Sequence, residues 1–139
     1  MQLAVRASTA AIALVVVRHR QFAVRAYNSH MLIQAVPFST IDWSQILPTE
    51  HAGDSGKAIW RTVEQGNLRV RRVEYTPGYK ANHWCSRGHV LHVLSGELTT
   101  DLQDGRSFVL RAGETYIVAD NAEPHRSRTE TGVQLFIVD

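Results

Sequence analysis

The sequence has only one cysteine and four prolines in 139 residues, and its nine glycines are scattered singly through turn-like segments. The single cysteine, Cys85, excludes an internal disulfide and is typical of a reducing compartment, so we expect a cytoplasmic protein. No glycine-rich phosphate loop, serine nucleophile elbow or Cys-x-x-Cys pair is present. The apolar run of residues 7–17 is too short to cross a bilayer, so no membrane association is expected.

Acidic side chains are absent from residues 1–30, which carry four arginines. Removing these four charges from the formal total of +2 leaves −2 for residues 31–139, so nucleic-acid binding has little electrostatic support. The composition changes abruptly at Met31. We interpret residues 31–139 as one domain and residues 1–30 as an N-terminal extension outside its core. The preferred interpretation is that the functional protein starts at Met31 and that residues 1–30 are mis-assigned or accessory. The second interpretation is a targeting leader.

Turn signals recur at roughly eight- to twelve-residue intervals after Met31, which is typical of a β-sandwich or barrel. The segment LIQAVP is interpreted as a strand, STIDWSQI as one helical turn capped by Ser39 or Thr40, and PTEHAGD as a loop. The further predicted strands are KAIWRTVEQ, NLRVRRVEY, HVLHVL, ELTTDLQ, SFVL, TYIV and VQLFIV. Asp104-Gly105 is the strongest hairpin signal. The pattern predicts an all-β fold.

Potential metal ligands cluster around the lone cysteine. In a strand, His83 and Cys85 point to the same side, and His89 begins the next run after a break at Ser86–Gly88. The best candidate for a fourth ligand is His125, which follows Pro124 at the start of a new strand. Imidazole and thiolate donors suit zinc, iron(II), cobalt or nickel better than magnesium or calcium. The alternatives are a filled barrel interior with satisfied polar groups, or Cys85 acting as a nucleophile beside His83.

The spacing of these residues resembles that of the cupins. The first cupin motif has the form G-x5-H-x-H-x3-E-x6-G, and this sequence matches it from His83 to Gly96, with one residue fewer after Gly78. Pro124-His125 matches the end of the second motif. The resemblance implies a single-domain RmlC-like jelly roll, or double-stranded β-helix, over residues 31–139. It also implies that the four cupin metal positions are occupied by His83, Cys85, His89 and His125.

A narrower resemblance is to the small single-domain DHCW-motif cupins. It rests on the segments TIDW, TEHAGDSGKAIWRT, VRRVEYTPGY, HWCSRGH, DGRSF, PHRS and LFIVD. It covers nearly all of residues 34–139 and none of residues 1–30. Asn82 stands where that family usually has an acid. The resemblance implies a fold and a site, and it leaves the reaction open.

Two functions follow from such a site. The first is a metal-dependent enzyme of dioxygenase, lyase or isomerase type that acts on a small polar molecule; the second is a binding or sensor protein with structural zinc. Zinc is the preferred ion, with iron(II) or nickel as alternatives. Glu50 and His51 are the candidate catalytic residues, on a loop that could reach the barrel mouth. Exposed edge strands and the resemblance to small cupins predict a homodimer.

Strand alternation makes two further predictions. His92, three residues after His89, should face away from the ligand set. Arg69 and Arg71 should share one face and Arg72 the other, and whichever face lies inside could hold an anionic ligand.

Overall fold

The computed structural model describes residues 31–139 and, before them, the backbone of two short strands, Val15–Val17 (β1) and Arg20–Phe22 (β2), which pair antiparallel. Residues 33–139 form one compact unit. The interpretation of residues 1–30 as an extension falls almost entirely outside the described residues and stays a prediction. No helix in the described part of the chain is long and apolar enough to cross a membrane.

The compact unit is built from eight antiparallel strands. They are β3 (Thr49–Ala52), β4 (Lys57–Gln65), β5 (Leu68–Tyr75), β6 (His89–Leu102), β7 (Ser107–Arg111), β8 (Thr115–Val118), β9 (His125–Arg128) and β10 (Val133–Val138). Their order is β3-β4-β5-β10-β6-β7, and β8 and β9 also pair with β6. The all-β prediction is confirmed.

Strand β6 joins the two sheets of the jelly roll. Its first part pairs with β10 and β8, and its second part pairs with β7 and β9. The change of sheet falls at Ser95-Gly96, where Gly96 has φ 81° and an added Cβ would lie 2.3 Å from the carbonyl oxygen of Gly132. Only glycine fits this bend, because a side chain would meet backbone.

The inner faces of the two sheets enclose the hydrophobic core. Leu91, Val93, Leu98 and Leu135 are fully buried, as expected for alternate residues of strands with one face packed inward. The inward residues of β6 start at His89 and continue through Leu91 and Val93. The alternation therefore places His89, at the start of β6, on the same inward face as the core residues Leu91 and Val93.

Four predictions of local structure need correction. LIQAVP is not a strand, and HVLHVL and ELTTDLQ are parts of one strand. The helical turn is Trp43–Gln45, and Asp42 caps it by accepting from the Ser44 backbone N–H. PTEHAGD contains β3, which exists because it pairs with β4. Strand β4, strand β5 and the Asp104-Gly105 hairpin are as predicted.

Candidate metal centre

A two-way backbone bridge brings Cys85 and His125 together. The Cys85 N–H donates to the His125 carbonyl at 2.7 Å, and the His125 N–H donates to the Cys85 carbonyl at 3.0 Å. Directly opposed residues of an antiparallel pair project their side chains to the same side. Because His125 is buried, that side is the barrel interior.

His89 completes a group of three donors. Donor atoms of Cys85, His89 and His125 all lie within 4.8 Å of one another. The two Nε2 atoms of His89 and His125 are 3.1 Å apart. The Nδ1 atom of His125 is 2.8 Å from the Glu123 carbonyl, so it carries the proton and donates, which leaves Nε2 as the ligand atom. Two imidazoles and a thiol at this spacing fit a divalent transition metal.

The electrostatics favour the metal-binding forms of Cys85 and His89, whereas His125 must give up any proton on Nε2 to coordinate an ion. The hydrogen bond with His125 holds the pKa of the Cys85 thiol below its usual value despite burial, and the same bond raises the pKa of His125. Burial, followed by the charge of His125, lowers the pKa of His89 to about 4. The neutral imidazole and thiolate are the forms that coordinate a cation.

His83 does not join this group of three. Backbone bridges join Lys80 to Arg128 and Cys85 to His125. Between these bridges lie residues 81–84 on one segment but only residues 126–127 on the other, so the first segment has two extra residues. Without these extra residues His83 would lie opposite His125, a position that Cys85 takes instead. Residues 82–84 therefore bulge rather than continue a strand, and His83 is exposed. Its role as a fourth ligand stays a prediction.

Asn82 nevertheless orients the His83 ring. The Nδ1 atom of His83 lies 2.8 Å from the side-chain oxygen of Asn82, whose amide in turn donates to the Ala52 carbonyl at 3.1 Å. Since an amide oxygen only accepts, Nδ1 is the protonated nitrogen and Nε2 stays available. Asn82 thus links the His83 ring to the backbone of Ala52.

One loop, residues 119–124, holds the ligand segment at its break. The Gly88 N–H donates to a carboxylate oxygen of Asp120 at 2.7 Å, and the Asn121 N–H donates to the Ser86 carbonyl at 2.8 Å. An added Cβ on Gly88 would lie 2.5 Å from the Asp120 backbone nitrogen. The absence of a side chain at Gly88 thus permits the close approach that places Cys85 and His89 on either side of the break.

Tyr116 is a site residue that sequence reasoning missed. Its hydroxyl lies 2.9 Å from His89 Nε2, because Tyr116 on β8 is opposite Leu91, two residues from His89. Burial raises the pKa of this hydroxyl well above its usual value, so it remains a donor at neutral pH. Alternation in TYIV placed Tyr116 on one face, but only the pairing of β8 with β6 shows which face.

The candidate catalytic residues occupy opposite faces of β3. Glu50 is exposed and forms a salt bridge with Lys57 at 2.9 Å. The ring of His51 lies 4.1 Å from the ring of Trp60, and its Nε2 is 2.9 Å from the Thr49 hydroxyl. Neither residue belongs to the group of three donors, and a catalytic role for either one stays a prediction.

The alternation predictions match the observed positions. His92 bonds to the Thr115 hydroxyl at 2.8 Å and is not part of the donor group. Arg71 is buried, with 6% of its surface exposed. Arg69 lies on the same face, and both contact the Asp139 carboxylate. Arg72 faces outward and lines a surface depression with Trp43.

Comparison with solved structures identifies the fold. A predicted oxalate decarboxylase from Thermotoga maritima matches 72% of this chain and 96% of its own length, with a TM-score of 0.60 and 15% identity. A polyketide cyclase from Streptomyces resistomycificus matches 73% of this chain and 78% of its own, with a TM-score of 0.63 and 17% identity. An RmlC-like cupin from Shewanella frigidimarina matches 76% of this chain and 92% of its own, with a TM-score of 0.59 and 18% identity.

No protein-family model matches the sequence, and no curated protein sequence matches it. The likeness to the three solved structures therefore lies in the fold, and the chemistry has to be argued from the side chains of this chain.

Proposed function

We propose that this chain, which has the cupin fold, binds one divalent transition metal through Cys85, His89 and His125 and acts on a small polar molecule at that ion. The observation that carries the proposal is the convergence of three ligand-type donor atoms within 4.8 Å on one interior face. Three residues from three separate segments, β6, β9 and the loop before β6, contribute to it.

A purely structural, hydrogen-bonded role for these polar groups is the competing interpretation. Without a cation, one proton on His125 Nε2 would join the two rings in an N–H···N hydrogen bond of 3.1 Å. A shared ion would satisfy both Nε2 atoms and the Cys85 sulfur at distances of about 2.0–2.4 Å. Zinc is the preferred ion for this donor set, and iron(II) or nickel are alternatives.

An open depression reaches the candidate centre at one of its three donors, Cys85. Cys85 lines an open depression of about 460 Å³, together with His83, Trp84, Ser86, Arg87, Asp120 and Asn121. When bound, the ion supplies Lewis-acid polarisation of an oxygen or nitrogen of the substrate. The Tyr116 hydroxyl beside His89 Nε2 can hydrogen-bond to the same molecule, since its proton stays in place at neutral pH.

Metal analysis of the full chain, purified without a histidine tag, tests the proposal. We expect about one ion per chain, and a sulfur-to-metal charge-transfer band in the cobalt-substituted protein that Cys85→Ser abolishes. His125→Ala should empty the site, because it removes one of three donors, whereas His92→Ala should retain the ion. Equal metal content in His125→Ala and wild type would refute the assignment.

The role of His83 is decided by the same cobalt spectra. If His83 swings inward and coordinates, the ion is four-coordinate and closed, and His83→Ala weakens binding. If it does not, positions remain for a small exogenous ligand such as azide, which should then shift the visible spectrum. An open ion supports the enzyme, and a closed one supports the alternative below.

The alternative is a redox sensor or binding protein with structural zinc. The supporting observation is that Cys85 is half-buried at the edge of an open depression, with a lowered thiol pKa. Oxidation of a thiolate ligand removes it from the ion. Under this alternative, mild peroxide treatment should release zinc from wild type, and a reductant should restore binding.

A further inference from the structure

Three buried N–H groups on the inner wall next to the candidate centre have no acceptor. Among the residues that the structure describes, Trp60 Nε1, Arg71 Nε and His89 Nδ1 are buried without a hydrogen-bond partner. With Nε2 of His89 facing Tyr116 or an ion, its Nδ1 carries the proton, so all three are donors. Leaving a buried donor unpaired costs about 1–3 kcal/mol each. This part of the wall therefore lacks an acceptor.

The strand register places these donors on one face. Arg71 on β5 lies opposite Ile137 on β10, and Ile137 lies opposite Leu91 on β6, two residues from His89. Trp60 on β4 lies opposite Val73, two residues from Arg71. The guanidinium carbon of Arg71 is 4.7 Å from the centre of the Trp60 ring. The register thus places Arg71 on the same inner wall as His89, two strands away.

Two guanidinium groups share one buried carboxylate in this corner. The Asp139 carboxylate serves both Arg69, through two hydrogen bonds, and Arg71 Nη2 at 3.1 Å. The side chains of Asp139 and Arg71 are 1% and 7% exposed, whereas that of Arg69 is 23% exposed. Glu64 lies opposite Arg69 and adds negative charge on that side, where the corner opens to solvent. The Nε atom of Arg71 is left without an acceptor.

We propose that Arg71, with the Trp60 indole N–H beside it, binds the carboxylate of a small organic acid whose other polar group reaches the Cys85–His89–His125 centre. A carboxylate supplies the missing acceptors, and charge-assisted hydrogen bonds to Arg are stronger than neutral ones. This inference rests on the proposed function, because it assigns a substrate class to the same site.

The test titrates the full chain with small carboxylates and their neutral amides. Acetate, glycolate and succinate are the probes, with acetamide and glycolamide as uncharged matches. Binding is followed by visible absorption of the cobalt-loaded protein and by calorimetry of the metal-free protein. We expect the carboxylates to bind at millimolar concentration, and the amides to bind at least about tenfold more weakly.

Arg71→Met is the decisive variant, and Arg72→Met on the outward face of the same strand is its matched control. Arg71→Met should weaken carboxylate binding about tenfold or more at unchanged metal content, and Arg72→Met should leave both unchanged. If Arg71→Met does not fold by circular dichroism, Trp60→Phe keeps a buried ring and removes the Nε1 donor. Trp60→Phe should then weaken carboxylate binding without altering the binding of amides.

Several outcomes would overturn the inference. The first is that no carboxylate binds to wild type. The second is that carboxylates bind wild type and the Arg71 or Trp60 variant with equal affinity. The third is that inorganic phosphate, and not a carboxylate, binds in an Arg71-dependent way. Failure of the proposed function is a separate result: a wild-type chain that retains no metal. The calorimetric titration of metal-free protein still tests Arg71 in that case.

Discussion

Replacing Gly88 by alanine should disturb the candidate centre without touching any ligand. The added Cβ would lie 2.5 Å from the Asp120 backbone nitrogen, 2.9 Å from the Ala119 carbonyl carbon and 3.0 Å from the Val118 carbonyl oxygen. Ordinary contact begins at 3.4 Å, so the ligand segment and the loop of residues 119–124 must separate by about 0.9 Å at the closest pair. Gly88 does not have positive φ, so the cost comes from contact and not from backbone strain.

We expect Gly88→Ala to lose about 1–3 kcal/mol of unfolding free energy, as for other overpacked sites. The shift should also spread the donors, because Gly88 precedes His89 directly and lies three residues after Cys85. Disturbing the support of a ligand set typically weakens metal affinity about 10- to 100-fold. Urea denaturation measures the first effect, and competition with a chelator measures the second.

Gly105→Ala is the matched control for this prediction. Gly105 has φ 97° in the β6–β7 hairpin and an added Cβ would meet nothing within 4 Å. Alanine there should cost about 1–2 kcal/mol through left-handed strain, with metal affinity unchanged. If Gly88→Ala retains wild-type affinity, or if Gly105→Ala loses as much affinity, the loop of residues 119–124 does not position the ligands and the reasoning is refuted.

Three further predictions concern stability, assembly and the N-terminal segment. The hydrogen bond from Arg128 lowers the pKa of Asp101, so the ionised carboxylate should add about 1 kcal/mol to the free energy of unfolding. This contribution should be complete above the unfolded pKa of about 4 and vanish as pH falls through the lower folded pKa. Urea denaturation from neutral to acidic pH should show the stability difference between wild type and Asp101→Asn closing, and a constant difference would contradict the prediction. The edge strands β3 and β7 expose unpaired backbone N–H and C=O groups, so we expect a twofold homodimer that covers such an edge. Sedimentation that shows only monomer at micromolar concentration would count against this expectation. A chain starting at Met31 should fold with unchanged metal content, and loss of solubility or of several kcal/mol would mean that residues 1–30 are structural.

Local sequence patterns determined the strands that have strong signals of their own. Alternating β-rich runs and the turn at Asp104-Gly105 predicted β4, β5 and the β6–β7 hairpin, because period-two alternation and turn geometry are local properties. LIQAVP has the same local signal but is not a strand, and TEHA has little signal but pairs with β4. Strand formation requires a partner, and a partner is a property of the tertiary structure.

Ligand spacing in the sequence brought Cys85, His89 and His125 into one candidate set, which the fold places within one interior corner. It did not foresee that two extra residues before Cys85 turn His83 toward solvent, because register is set by pairing with β9. Alternation likewise put Arg69 and Arg71 on one face without showing which face lies inside. Only the assembled sheets decided that Arg71 lies on the inner face and that Tyr116 contacts His89, since facing is a relation between strands that are distant in sequence.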